Sequence, residues 1–488
     1  MTGFIMLVTL LTYFSLLLWI SYRMRKSDSN DAFFRAGRHS SWGMVAFGMI
    51  GASISGVSFV SVPGWVNKTD MTYLQMCAGF FFGYLLVAFV LLPMYYRLKL
   101  TSIYSYLRTR FGATAQTTGA SFFIMSRLAG SAARLYLACV VLQEFVSEPL
   151  GMPFPLTVVV VLVLIWLYTR RSGIKTIVHT DVLQTLCLLL ALVTMFVIVV
   201  VKMDLSPQGV IDVVANSDMS SVFCWAPDSR QYFWRQFLSG VFVVVVMTGL
   251  DQDMMQKNLT CRSLRAAQKD MCAYGICFLP VNFIFLALGI LLYTFAGQHA
   301  INADGDELMP TLVKSGLLGN AVIIPFAIGI VSAAFSSADS TMTSLTTSIC
   351  IDIVGVERKG YNGNRAERVR KRIHIAVVLA FLVFILIFRI IGSRNVIDTI
   401  YVMASYTYGP LLGLYAFGMF TKRNANNKSI PYICVAAPII CGALDYAAPR
   451  LWGFTFGYEL LMFNGIITFV CLYLSSIGKD KTDKAYDV

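Results

Sequence analysis

The stretch PFAIGIVSAAFSSADSTMTSLTTSICIDI (325–353) places Ser336, Ser337, Ala338, Asp339 and Ser340 in succession inside an otherwise apolar run. On a helix, Ser336, Asp339 and Ser340 share one face, because residues three and four apart lie above one another. Hydroxyls, carbonyls and a carboxylate together are what a hard cation takes as ligands. Interhelical hydrogen bonding by Ser and Thr is the alternative, and Asp339 argues against it. A second acid, Asp181, opens the apolar run IKTIVHTDVLQTLCLLLALV (174–193). It suits either a partner for the 336–340 face or a carboxylate complementing a helix N-terminus. Arg127 and Arg134 lie seven apart in SRLAGSAARLYLACVVLQE (126–144) and so project from one helix face. A buried guanidinium recognises a carboxylate in bidentate fashion, and that carboxylate can come from a solute or from the protein. Asp251 and Asp253 follow another apolar run near its inner boundary, where a gate ion pair with a loop Arg is expected.

Glycine, serine and proline crowd GMIGASISGVSFVSVPG (48–64), and Gly240, Gly249, Asp251 and Asp253 interrupt SGVFVVVVMTGLDQDMMQK (239–257). Interruptions of this kind mark broken helices, whose freed carbonyls can face an ion. Close packing of small residues is the competing use of Gly48, Ala52 and Ser55.

Other chemistries lack their residues. There is no GxxxxGK[ST] phosphate loop and no HExxH pair. The 11 cysteines are scattered without a CxxC, so they read as small apolar residues rather than a zinc or disulfide framework. No nucleophile–base pair is evident, and an enzyme is not expected.

The elements that hold these groups must be membrane helices. Of 488 residues, 57% are hydrophobic and 13% charged, whereas soluble chains run at roughly 45–50% and about 25%. Thirteen apolar runs approach the roughly 20 residues that span a bilayer: 4–22, 42–66, 71–95, 116–145, 154–169, 178–201, 234–256, 271–296, 317–350, 373–392, 396–420, 430–447 and 458–477. With the N-terminus outside, inner loops hold 29 Lys and Arg and outer segments hold 7. The positive-inside rule therefore puts the C-terminus in the cytoplasm. The net charge of +13 is then a solvated cytoplasmic collar, densest at RAERVRKR (365–372), and not a nucleic-acid surface. Runs two to six and seven to eleven have opposite orientation, as an inverted repeat requires. The expected divisions are an extra helix and inner loop over 1–41, a first repeat over 42–201, an outer loop over 202–233, a second repeat over 234–420, and two final helices with a tail over 421–488.

Four stretches resemble the sodium:solute symporters: GASISGVSFVSVPGW (51–65), LTSIYSYLRTRFG (100–112), HTDVLQ (179–184) with GLDQDMMQKNL (249–259), and SAAFSSADS (332–340). They occur in family order and cover the chain from about residue 40 to 425. The resemblance implies an all-α, LeuT-like five-plus-five inverted repeat with one preceding and two following helices. It implies a sodium site made by the carbonyls of Gly51, Ile54 and Ala333 with the hydroxyls of Ser336 and Ser337. A second sodium site, present in some members, maps to Asp181, Ser336, Asp339 and Ser340. Position 339 is often serine in the family, so the acid here could serve sodium, bind a proton or pair internally. The galactose carriers place polar ligands where this chain has VFVVVVM (241–247). The sialic acid carriers bind a carboxylate with hydroxyls and an arginine, matching Ser53, Ser55 and Ser58 with Arg134 in preference to Arg127, and Gln75 as the next contact.

The expected protein is thus a sodium-coupled symporter of the cell membrane, importing a small polar, possibly anionic solute such as a carboxylate or acidic sugar by alternating access. Sodium is co-transported, and no organic cofactor, nucleic acid or obligate protein partner is implied beyond the solute and the bilayer. A proton-coupled carrier is the alternative, with a transporter-like sensor behind it.

Overall fold

The computed structural model describes residues 2–23, 30–54, 56–170, 173–356, 360–361, 363–391 and 396–476. Among these the backbone is helical, with two isolated bridges, Ser40 to Cys261 and Cys224 to Tyr232, in place of any sheet. The helices fall on the expected apolar runs: α1 Thr2–Arg23, α2 Trp42–Ser53, α3 Gly56–Thr69, α4 Tyr73–Leu86, α5 Ala113–Leu142, α6 Phe154–Thr169, α7 Ile174–Lys202, α8 Phe233–Val244, α9 Gln252–Asn258, α10 Leu264–Gln298, α11 Ile323–Ser348, α12 Gly363–Ile391, α13 Val396–Thr407, α14 Gly409–Phe420, α15 Ile430–Trp452 and α16 Leu460–Ser475.

Helical backbone is what a bilayer demands, since no water is present to satisfy stray N–H and C=O groups. Eight of the described helices are long and apolar enough to cross, and nine if the bent pair Phe233–Gly249 with Gln252–Asn258 is one span. Shorter apolar helices lie at Trp42–Ser53, Phe154–Thr169, Gly409–Phe420 and Leu460–Ser475.

Both expected breaks are present. α2 ends where Ile54 leaves the helical region, at φ −79° and ψ 83°. The chain resumes as α3 at Gly56, and Pro63, which has no N–H to donate, sits inside it. In the other half the helix widens to a π-turn over Val245–Gly249 and turns by 69° into α9. Asp251 caps α9, accepting from the N–H groups of Asp253 at 2.9 Å and Met254 at 3.2 Å.

α11 occupies the centre and packs on α7, α5, α3, α1, α12 and α2. Nearly all of its residues are buried, Ser332 through Ser348 without exception. Peripheral helices turn apolar side chains outward, including Leu190, Val193 and Val197 of α7 and Leu379 and Val383 of α12.

Two loops differ from expectation. The outer segment contains its own helix, Pro207–Ala215, started by Ser206, whose hydroxyl accepts from the Gly209 N–H at 3.1 Å. The inner basic stretch 365–372 is the first part of α12 and is not wholly solvated. Its residues are good helix formers, Glu367 pairs with Lys371 one turn on, and Arg370 is buried with its guanidinium 4.6 Å from the Phe33 ring centroid.

Candidate functional site: a polar seam through the bundle centre

Three groups of buried polar residues line the interface of the two broken helices with α5, α7 and α11. The first lies where α2 gives way. Gly51 packs so closely on α7 that a Cβ there would meet the Thr185 hydroxyl at 2.0 Å. The hydroxyls of Thr185 and Ser337 are buried and have no hydrogen-bond partner among the described residues. Unpartnered buried hydroxyls are costly, and neutral oxygens beside a helix break fit a monovalent hard cation. Ile54, at the end of α2, and Ala333, on α11, are buried as well. Ser336 is already engaged, donating to Asp181 Oδ1 at 2.7 Å. Thr185 was missed from sequence, although it lies one turn beyond Asp181 on the same helix face.

The second group surrounds Asp181, whose Oδ2 lies 2.7 Å from Lys257 Nζ, both residues about 1% exposed. Lys257, on α9, counts as a solvated inner-loop cation in the charge tally, and the structure corrects that. The fold-over of α9 carries it into the core. Asp339 accepts from the Tyr168 hydroxyl through Oδ2 at 2.9 Å, while its Oδ1 has no partner. Ser340 does not face these acids. Its hydroxyl donates to Asp253 Oδ2 at 3.2 Å.

The third group is an ion-pair network. Arg127 of α5 holds Asp253 through Nη2 and Nε and stands 3.6 Å from Asp251. Thr341 adds a hydroxyl to Asp253 at 3.2 Å, and Tyr408 donates to Asp251. The two acids are buried, at 0% and 1% exposure. They were expected at a watery boundary, paired with a loop arginine. The partner is instead an intramembrane one, because the 69° turn folds α9 back against α11 and α2 and brings Asp253 within reach of Arg127.

Arg134, two turns from Arg127, has no ion-pair or hydrogen-bond partner among the described residues and lines a cavity of about 80 Å³ with Ser53, Tyr84, Tyr274 and Tyr401. Tyr274 donates to Ser53, and Tyr84 to Tyr274 at 2.7 Å. On the outer side Tyr401 meets the Tyr73 hydroxyl at 3.0 Å. Tyr73 meets Trp65 and Tyr401 meets Tyr458 with tilted rings, centroids 5.6 and 5.0 Å apart, and Trp65 and Tyr458 line a vestibule of about 230 Å³. An aromatic partition therefore divides vestibule from cavity, and the Arg127 network stands on the cavity's other flank.

The remaining expected contacts fall elsewhere. Gln75 bonds the backbone of the outer segment, giving its amide to the Gln231 carbonyl at 2.9 Å and accepting from the Cys224 N–H at 3.1 Å. Ser58 lies on α3, outside the cavity lining. Ser55 is outside the described residues.

The sequence pattern described as the sodium:solute symporter family matches residues 33–429. The chain belongs to that family. It is similar to the sodium/sialic acid symporter NanT of Aliivibrio fischeri, at 24% identity over 86% of this chain and 83% of that one. It is also similar to the human sodium/iodide cotransporter, at 22% identity over 83% of this chain and 63% of that one. A solved Na+-coupled sialic acid symporter, substrate-bound and outward-open, superposes with a TM-score of 0.83 and 20% identity, covering 98% of both chains. The fold of this symporter is therefore LeuT-like, and sodium is its coupling ion.

Proposed function

We propose that the protein imports a small carboxylate solute with sodium across the cell membrane, the solute held by Arg134 and Ser53. The N-terminus is outside and the C-terminus cytoplasmic on this reading, and the five-plus-five repeats of 42–201 and 234–420 rock about the central seam. The observation that carries it is Arg134. A guanidinium without a counter-ion among the described residues, lining a cavity inside a membrane bundle, is costly, and a solute carboxylate compensates it with two parallel hydrogen bonds. Arg127 does not compete for that role, because Asp253 and Asp251 already neutralise it.

Cavity size favours a small acid over an acidic sugar. The cavity measures about 80 Å³, small against the roughly 300–1,000 Å³ of common ligand pockets. Sodium would bind at the α2 break, with Gly51, Ile54, Ala333 and Ser337, and Thr185 beside them. Holding the broken helix in register keeps Ser53, one residue before Ile54, in place for the solute, which couples the two sites.

The test is uptake into proteoliposomes of short carboxylates and of an acidic sugar, each with an inward sodium gradient. Sodium-dependent accumulation of a short carboxylate, lost in Arg134→Gln, is the expected result. Uptake of a neutral solute only, unaffected by Arg134→Gln, would refute the anionic assignment. A proton-coupled cycle is the second reading, supported by the unpartnered Asp339 Oδ1. It predicts uptake driven by an inward proton gradient without sodium and abolished in Asp339→Asn.

A further inference from the structure

The residues matched to a second sodium site do not form one here. Asp181 is taken by Lys257 at 2.7 Å and by Ser336 at 2.7 Å. Ser340 is turned to Asp253. Asp339 receives a hydroxyl from Tyr168, so one of its oxygens already faces a proton donor. What remains is a single free carboxylate oxygen, whereas a hard cation needs several oxygens converging on one point.

We propose that the ammonium of Lys257 is a tethered cation that takes the place of a second sodium, so that the carrier moves one sodium per solute. The inference rests on the sodium-coupled reading above and fixes its stoichiometry. The argument is electrostatic and steric together. The amine is delivered by α9, which the 69° turn at Leu250 and Asp251 folds toward α7 and α11. Its charge is fully buried beside the one acid that the second site could not do without. An incoming sodium would have to expel a covalently held competitor whose effective concentration is set by the fold, not by the medium. Arg127 performs the parallel task for Asp253, so each acid of the seam except Asp339 is matched by a cation of the chain itself.

The consequence is energetic. One sodium with one monoanion moves no net charge, and membrane potential then contributes nothing to accumulation. About a tenfold sodium gradient would support at most about tenfold solute accumulation.

The experiment is sodium activation of solute uptake in proteoliposomes, with charge movement recorded alongside. Wild type and Lys257→Arg should give a Hill coefficient of about 1, bounded by the number of coupled sites, and uptake insensitive to an imposed potassium-diffusion potential. Lys257→Met frees the Asp181 carboxylate, beside the unpartnered oxygen of Asp339, for a cation and should raise the coefficient toward about 2, with inward current. The double variant Asp181→Asn, Lys257→Met removes acid and amine together and should return to about 1, which separates the proposal from misfolding of the single variant. Wild-type uptake with a coefficient near 2 and a current overturns the proposal while leaving sodium coupling intact. Uptake with no sodium dependence at all sinks the underlying function instead. A Lys257→Met variant that is active with its coefficient still near 1 shows a structural ion pair and overturns the proposal as well.

Discussion

Arg127 and Arg134 present the same side chain on the same face of α5, and the structure separates them by what each meets. Arg127 meets Asp253 and Asp251; Arg134 meets a cavity. Removing either should therefore do different things. Arg134→Gln should leave the fold intact and weaken solute binding about 10- to 100-fold, the equivalent of charged hydrogen bonds worth about 1.5–3 kcal/mol. Isothermal titration or competition uptake would measure it. Arg127→Ala strands buried carboxylates and should destabilise by about 3–5 kcal/mol. The thermal midpoint should fall much less in the double variant Arg127→Met, Asp253→Asn, which takes out both ends of the pair. Equal losses in single and double variants would mean the pair contributes little. At this scale residue types were legible in the sequence and partners were not. Seven-residue spacing put both arginines on one face, but only the fold-back of α9 tells which one an acid reaches. The same fold-back hid Lys257, which in sequence follows a polar segment and reads as a loop residue.

Helix breaks were legible because local chemistry imposes them. Gly, Ser and Pro between residues 48 and 64, and Gly249 followed by a capping Asp251, leave little choice of where the backbone departs from a helix. The sharpness of the second turn was not legible, since it depends on α9 finding a seat against α11, α2 and α7. Close approach between elements is equally specific. Gly79 of α4 and Gly240 of α8 each lie against the other helix's backbone, where a Cβ would come within 2.1 Å of the Phe237 carbonyl oxygen and 2.3 Å of that of Met76. Gly51 stands in the same relation to Thr185. Gly51→Ala should cost about 1–3 kcal/mol by overpacking and displace the sodium-facing end of α2. Sodium activation should then shift to higher concentration, while a distant packing variant such as Gly240→Ala lowers stability without shifting it.

On the scale of the whole molecule, composition places the chain in the membrane class, and the distribution of 29 Lys and Arg in one set of loops against 7 in the other is the basis of the proposed orientation. Lys257, in the seam, and Arg370, over the Phe33 ring, are both buried, and moving them out of the inner count leaves the asymmetry intact. Asp228 in the outer segment is exposed, as is Lys428 in the 421–429 loop. Asp228→Cys should react with a membrane-impermeant maleimide on intact cells, and Lys428→Cys only after permeabilisation. The reverse pattern would invert the orientation. All-helical architecture, the broken pair and the central α11 follow from the sequence. The division of labour among buried charges is a property of the assembled bundle, where each acid is assigned by proximity across helices far apart in the chain.

The most direct test of sodium coupling is the thermal stability of the purified protein in sodium chloride against potassium or choline chloride at equal ionic strength. A ligand that binds only the folded state raises its stability as its concentration exceeds the dissociation constant. The account predicts a sodium-specific, saturable rise in midpoint that disappears in Ser337→Ala, whose hydroxyl is buried and without a partner among the described residues. Equal midpoints in all three salts, or a sodium effect that survives Ser337→Ala unchanged, would contradict it.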